Sequence, residues 1–485
     1  MLKEKLIHLN KVLYELDHEY NKQWWNYSTI GSPLATEDIN EKKKKIFDDE
    51  TTFDQLKTEI YKQNNDELNL RRAILFLRQF YINRVNLDDN IQALIHEITE
   101  NELTFDATIN GKTYTINEIR LLSKDFTNHK LQNEAIKRLE ILNERKKRKF
   151  LEIIKLRNEL SRILGFRNYS EIFFFGITPG LEGFLDLINN TVNDYVKIAK
   201  EWEVWIRNIS GEQSLNKGAS NIQVELDQYY KMLNPQDTMF DLLKSWELVE
   251  SFQNIRIFSA NDHPRKKHWW TFCQPVSIPD DIRISINTIN SFEYLETYYH
   301  EMGHAIHYAS IDQSEWIFKV EDLMTEISAS IFTNICMENE WIERNLKIKN
   351  ESLIEKIKKV NITRNPVTIL SRCIDFLFML NLYTNETTTP ETVFDDLYNS
   401  IFCYRDHQLS TIKPGCIFEL YYADDPFYGL FHLVGEIMGK KSIECILQHY
   451  ESIYSKEVGN MLVKELFSPG NSIDWLKRIN KLLFL

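Results

Sequence analysis

Ten residues constrain this chain more than any others: Tyr298-Tyr299-His300-Glu301-Met302-Gly303-His304-Ala305-Ile306-His307. They contain the pattern His-Glu-x-x-His. On an α-helix, positions i and i+4 lie on one face a turn apart, so His300 and His304 can aim both imidazoles at one ion. Glu301, beside them, is placed to take a proton from a water held by that ion. An ordinary helix can carry this string by chance, so its surroundings have to carry the assignment. A catalytic zinc needs three protein ligands and one open position, and the third ligand must come from elsewhere in the chain.

His307 is not that ligand. It lies almost two turns beyond His300, about 10 Å along the axis at 1.5 Å per residue, too far for one ion to bind all three histidines. A packing or substrate-side role is expected for it. No Gly-x-x-His follows, which argues against a three-histidine site. The next helical stretch offers Glu321, Asp322 and Glu326, and Glu326 is followed by Ser328, Ala329 and Ser330. Small side chains let a ligand-bearing helix approach closely. Acids on helices mostly face solvent. This one sits in an apolar helix directly after two histidine ligands, which favours Glu326 as third ligand. Asp322, one turn back, can orient a ligand from behind.

The rest of the chain reads as mostly helical. Only 15 glycines and 11 prolines interrupt 485 residues. Apolar positions recur at helical spacing over residues 1–24, a run that Trp24, Trp25 and Tyr27 are expected to end. A second helix is expected to open at Thr36-Glu37-Asp38, and further helices over about 51–63, 66–97, 118–164, 181–210, 237–253 and from 292 onward, with a loop near 211–220. Asn110-Gly111, between two β-prone runs, reads as a hairpin turn. Residues 255–290 break the helical pattern with Pro264, Pro275 and Pro279, and Ile282 to Asn287 alternates as a strand. That break marks an expected junction between lobes 1–255 and 256–485.

Composition removes several function classes. A net charge of −13 argues against nucleic acid as partner. The basic run Arg145 to Lys149 is flanked by acids and reads as a solvated helix face. Six scattered cysteines without a Cys-x-x-Cys pair read as free thiols in a reducing compartment. The N-terminal residues lack a signal-peptide core, and no stretch approaches the roughly 18 apolar residues of a membrane span. A cytoplasmic protein that meets neither membrane nor nucleic acid is expected.

His300 to Ala309 followed by Glu326-Ile327-Ser328-Ala329-Ser330 resembles the thimet oligopeptidase and oligoendopeptidase F family of zinc peptidases, the gluzincins. Ile278 to Asn287 is similar to the segment before that family's zinc helix. Arg157-Asn158-Glu159-Leu160 with Leu164 to Tyr169 resembles an upstream helix end, and Asp425-Pro426-Phe427-Tyr428 its tyrosine-bearing segment. Trp25 to Thr29 is similar to the start of the angiotensin-converting-enzyme family. The resemblance implies a mostly α-helical, two-lobed ellipsoid around a deep channel, with a small β-sheet next to the zinc helix. It implies one zinc per chain on His300, His304 and Glu326, and short oligopeptides as substrates of a monomer. The strand at 282–287 would be the edge that pairs with the substrate backbone. Glu301 would act as general base, and Tyr428 would stabilise the oxyanion. The family's second tyrosine position holds His432, which can still donate. Tyr421, Tyr422, His407 and His268 are weaker candidates.

Three readings are open at this stage. The first is a zinc endopeptidase acting on oligopeptides. The second is a carboxypeptidase or dipeptidyl carboxypeptidase of the angiotensin-converting type, which needs a cation for the substrate's terminal carboxylate. No lysine stands close before Tyr428, where Glu419 to Phe427 is acidic and aromatic. The third is a non-catalytic helical peptide-binding protein, against which the complete set His300, Glu301, His304 and Glu326 argues.

Overall fold

Several glycines and prolines sit where helices begin or stop. Asn234, Asn365 and Thr389 cap helices that open on Pro235, Pro366 and Pro390, each cap accepting from backbone N–H groups of the first turn. Gly211, at φ +67°, ends the long Gly180–Ser210 helix. Asn110 and Gly111, at φ 52° and 81°, make the two-residue turn between β1 (Asp106–Ile109) and β2 (Lys112–Thr115).

The computed structural model describes residues 2–62, 66–123, 129–212, 215–231, 233–259, 271–286, 292–360, 365–385, 389–404 and 423–483. They are mostly helical, with two small sheets. Three expectations are corrected. The first helix runs through both tryptophans and Tyr27 to Ile30, since aromatic residues do not stop a helix and Trp25 is buried. A helix, Leu215–Tyr230, fills most of the loop expected at 211–220. The helix expected over 237–253 stops at Ser245, and a short 3₁₀ turn, Val249–Phe252, follows. Tyr421, Tyr422, His407 and His268 lie outside the described residues.

The chain forms two compact units, and neither is one continuous stretch. One comprises residues 1–77, 223–361 and 431–485; the other comprises 78–222 and 362–430. Lobes of 1–255 and 256–485 therefore do not coincide with these units, because contacts follow packing rather than chain order. In the 78–222/362–430 unit, Arg157 is fully buried. It donates to Asn86 Oδ1 (3.0 Å), the Tyr383 hydroxyl (3.1 Å) and the Asp424 carbonyl (3.1 Å). Phe173, Phe174, Phe376 and Phe427 stack beside it at 5.1–6.2 Å. The Pro366–Thr384 helix of this unit is long and apolar enough to cross a membrane by length and composition, which corrects the expectation that no stretch approaches a span. Ten of its residues are buried, so its apolarity serves the core of the unit.

The other unit holds the three-stranded sheet. β5 (Asp281–Ile286) pairs in parallel with β3 (Ile255–Ser259) and antiparallel with β4 (Phe272–Ser277), in the order β3-β5-β4. The strand expected at a free edge is thus the central one. Ile282, Ile284, Ser285 and Ile286 are all buried, the pattern of a strand covered on both faces. The His-Glu-x-x-His helix, Phe292–Ser310, packs on this sheet and on the Leu323–Ile335 helix.

Candidate metal centre

The Phe292–Ser310 helix is pinned from behind. Tyr299 is buried, donates to Thr238 Oγ1 at 3.0 Å and accepts from the Trp341 indole at 2.8 Å. On another face, fully buried His307 meets Glu321 Oε2 at 3.0 Å, and Glu321 is paired with Arg478 of the C-terminal Trp475–Leu483 helix. Arg478 also donates to the Leu466 carbonyl at 2.6 Å. Burial and the neighbouring Arg478 guanidinium keep the His307 pKa well below the ordinary histidine value. A neutral His307 then gives its Nε2–H to Glu321. Of the two roles expected for it, packing or substrate-side, this burial fits packing.

With those faces occupied, His300 and His304 share the third. Their Nε2 atoms lie 3.1 Å apart. Glu326 arrives from the Leu323–Ile335 helix, with one oxygen 3.8 Å from His300 Nε2 and the other 3.7 Å from His304 Nε2. Ser328, Ala329 and Ser330 are buried at that contact. A Cβ placed on Gly303 would fall 2.6 Å from Ala329 Cα, so glycine is what lets the two helices touch backbone to backbone. Asp322 stands at the N-cap of the Glu326 helix.

Two contributions were not read from the sequence. Buried Thr325 places Oγ1 2.9 Å from His304 Nδ1. A proton on Nδ1 turns the Nε2 lone pair toward His300 and Glu326. The signal was available, since Thr325 directly precedes the ligand glutamate, but a threonine on a helix has many commoner uses. The second is the approach of a third helix, Tyr428–His449. Cβ atoms on its Gly435 and Gly439 would fall 2.8 Å from the Glu326 backbone and 2.5 Å from the Ser330 side chain. That contact brings His432 Nδ1 to 2.8 Å from Glu326 Oε2. Tyr428 opens the same helix one turn earlier.

Burial opposes ionisation of Glu326, yet the imidazoles of His432 and His304 outweigh it and hold its carboxyl well below the usual range. Burial lowers the His304 pKa against the pull of Glu326. The pocket thus presents a carboxylate and, at His304, an imidazole biased toward its neutral form.

The donor set suits a divalent transition metal. Two imidazole nitrogens 3.1 Å apart share a hydrogen bond when one carries a proton, and can hold a cation between them when both present lone pairs. Zn–N and Zn–O bonds of 2.0–2.1 Å at tetrahedral angles separate neighbouring ligand atoms by about 3.4 Å, and the observed 3.1, 3.7 and 3.8 Å bracket that value. Glu301 lies between the two histidines in sequence, on the same helix and nearly buried.

No family model matches the chain, and no curated protein does. Solved structures match across its whole length. PZ peptidase A, in complex with an inhibitor, aligns with a TM-score of 0.68 at 13% identity, covering 100% of this chain and 89% of its own. A structure named for oligoendopeptidase F from Bacillus anthracis str. Ames gives 0.65 at 14% identity, covering 100% and 88%. M32 carboxypeptidase from Deinococcus radiodurans R1 gives 0.61 at 10% identity, covering 100% and 95%. Identities of this size show a shared fold. The helical peptidase fold that the sequence motifs resemble is the fold of this chain.

Proposed function

We propose that the chain is a zinc-dependent peptidase that hydrolyses internal bonds of short oligopeptides. The observation that carries this reading is the meeting of His300 Nε2, His304 Nε2 and the Glu326 carboxylate, with Glu301 next to His300 on the same helix. A zinc ion held by these three residues supplies Lewis acidity, which polarises a carbonyl and makes a nearby water more acidic.

The remaining steps belong to the chain's own groups. Glu301 takes a proton from the attacking water and returns it to the nitrogen of the departing amine. Thr325 holds His304 in the tautomer that presents Nε2. We assign the oxyanion donor to Tyr428, ahead of His432 on the same helix. His432 turns its Nδ1 to Glu326, at 2.8 Å from Oε2. We further assign the chain to the cytoplasm as a monomer, with oligopeptides rather than nucleic acid or membrane as partners.

The fold is shared with an endopeptidase-named structure and with a carboxypeptidase, so the mode of cleavage needs its own test. Zinc-loaded protein is incubated with peptides of graded length, free or amidated at the C-terminus, and the products are read by mass. Cuts at internal bonds of amidated peptides are expected. Release of C-terminal residues from free peptides only would replace this reading with the carboxypeptidase one. No hydrolysis by zinc-loaded protein would remove both.

A further inference from the structure

We propose that His432 is a fourth protein donor to the metal centre, filling with imidazole the coordination position that a catalytic zinc ordinarily keeps free. The inference rests on the zinc reading above and extends it to a residue that the sequence motifs assigned only to substrate.

Three observations carry it. The first is distance. His432 Nδ1 lies 2.8 Å from Glu326 Oε2, and the ligand atoms of His300, Glu326 and His432 all lie within 4.8 Å of one another. His432 therefore shares a donor space with His300 and Glu326.

The second is how it gets there. His432 is delivered by a close approach of its helix to the Glu326 helix, where Gly435 leaves no room for a Cβ against the Glu326 backbone. A rigid helix contact fixes the position, with no loop involved. The third is chemistry. The family resemblance expects a tyrosine here, whose neutral phenol gives a hydrogen bond but is a poor zinc ligand. Imidazole is among the best.

Exposure says which donor can leave. The Glu326 side chain is 2% exposed, and that of His432 is 35% exposed. His300, His304 and Glu326 form the permanent set, and His432 is the exchangeable member on the solvent side. Four protein donors describe a closed site, as in structural zinc centres, whereas turnover needs one position open. Substrate must therefore displace His432, which makes the residue a gate on catalysis as well as a grip on the ion.

A plainer role would produce the same contact: His432 Nδ1–H could donate to Glu326 and only orient it. Metal affinity does not separate the two, because losing an outer hydrogen-bond partner already costs about 10–100-fold. Counting imidazoles does. Zinc-loaded full-length protein is measured by X-ray absorption at the zinc edge, alongside His432→Phe and His432→Asn. Asparagine keeps an amide donor near the Nδ1 position but offers no imidazole. Three imidazoles in the parent and two in both variants are expected. Two imidazoles in the parent overturn the proposal and leave the zinc reading intact. Failure of the parent to bind stoichiometric zinc overturns both. The parent spectrum decides by itself should either variant fail to fold.

Discussion

Glu301 and Glu326 show how one residue type takes two roles through placement alone. Glu326 comes from a second helix and faces two imidazoles squarely, the geometry of a ligand. Glu301 follows His300 in sequence, and a rotation of about 100° per residue keeps it off the line joining His300 and His304. On the proposed reading it serves as base and not as ligand. Glu301→Gln is therefore expected to retain one zinc per chain and to lose about 10²–10⁴-fold in turnover, the usual contribution of a positioned acid–base group. Metal analysis and steady-state kinetics on the same preparation test this together. Turnover within about tenfold of the parent would take the base role away from Glu301.

At the scale of elements, the centre depends on three helices touching through glycine. Gly303 meets Ala329, and Gly435 meets Glu326 itself. Gly435→Ala puts a methyl group 2.8 Å from the Glu326 backbone, where no flexible side chain can move aside. The helices must separate, at an overpacking cost of about 1–3 kcal/mol. Both a lower melting temperature and faster loss of zinc to a chelator are expected. A drop in melting temperature with zinc retention unchanged would show that this contact serves packing only. Part of this arrangement was legible in the sequence. His300, His304 and Glu326 lie on two helices adjacent in the chain, and Ser328 to Ser330 announced a close approach. Gly435 was not legible, because a glycine inside a helix means nothing until the partner helix is known. β5 misled for a related reason. Its alternation identified a strand, but whether a strand is central depends on which segments pair with it, and β3 and β4 both precede it in sequence yet flank it in space. Thr325 became visible only when tertiary packing set it beside His304, and His432, read from the sequence as a substrate-side donor, showed its contact with Glu326 only there.

At the scale of the molecule, the centre belongs to a unit assembled from residues 1–77, 223–361 and 431–485, so distant sequence has to be tied to the metal helix. The buried chain His307–Glu321–Arg478 is one such tie, reaching from that helix to the C-terminal one. It also imposes a pH dependence on folding. Burial, with Arg478 nearby, keeps His307 neutral in the folded chain well below pH 6.5. The unfolded chain releases the same imidazole to water, where it protonates near its ordinary value. Below pH 6.5 the unfolded state therefore binds a proton that the folded state refuses, and stability falls as pH falls. One such proton is worth about 1.4 kcal/mol per pH unit once fully expressed. His307→Gln keeps an amide donor for Glu321 and cannot titrate. Urea unfolding of metal-free protein between about pH 5 and 7 should give a shallower loss of stability in this variant than in the parent, with the two converging toward neutral pH apart from a constant offset. Metal-free protein is required, since protonation of His300 and His304 would otherwise add zinc loss to the same slope. Equal slopes in the two proteins would mean that His307 takes up its proton without unfolding. The tie between the metal helix and the C-terminal helix would then not rest on a neutral imidazole.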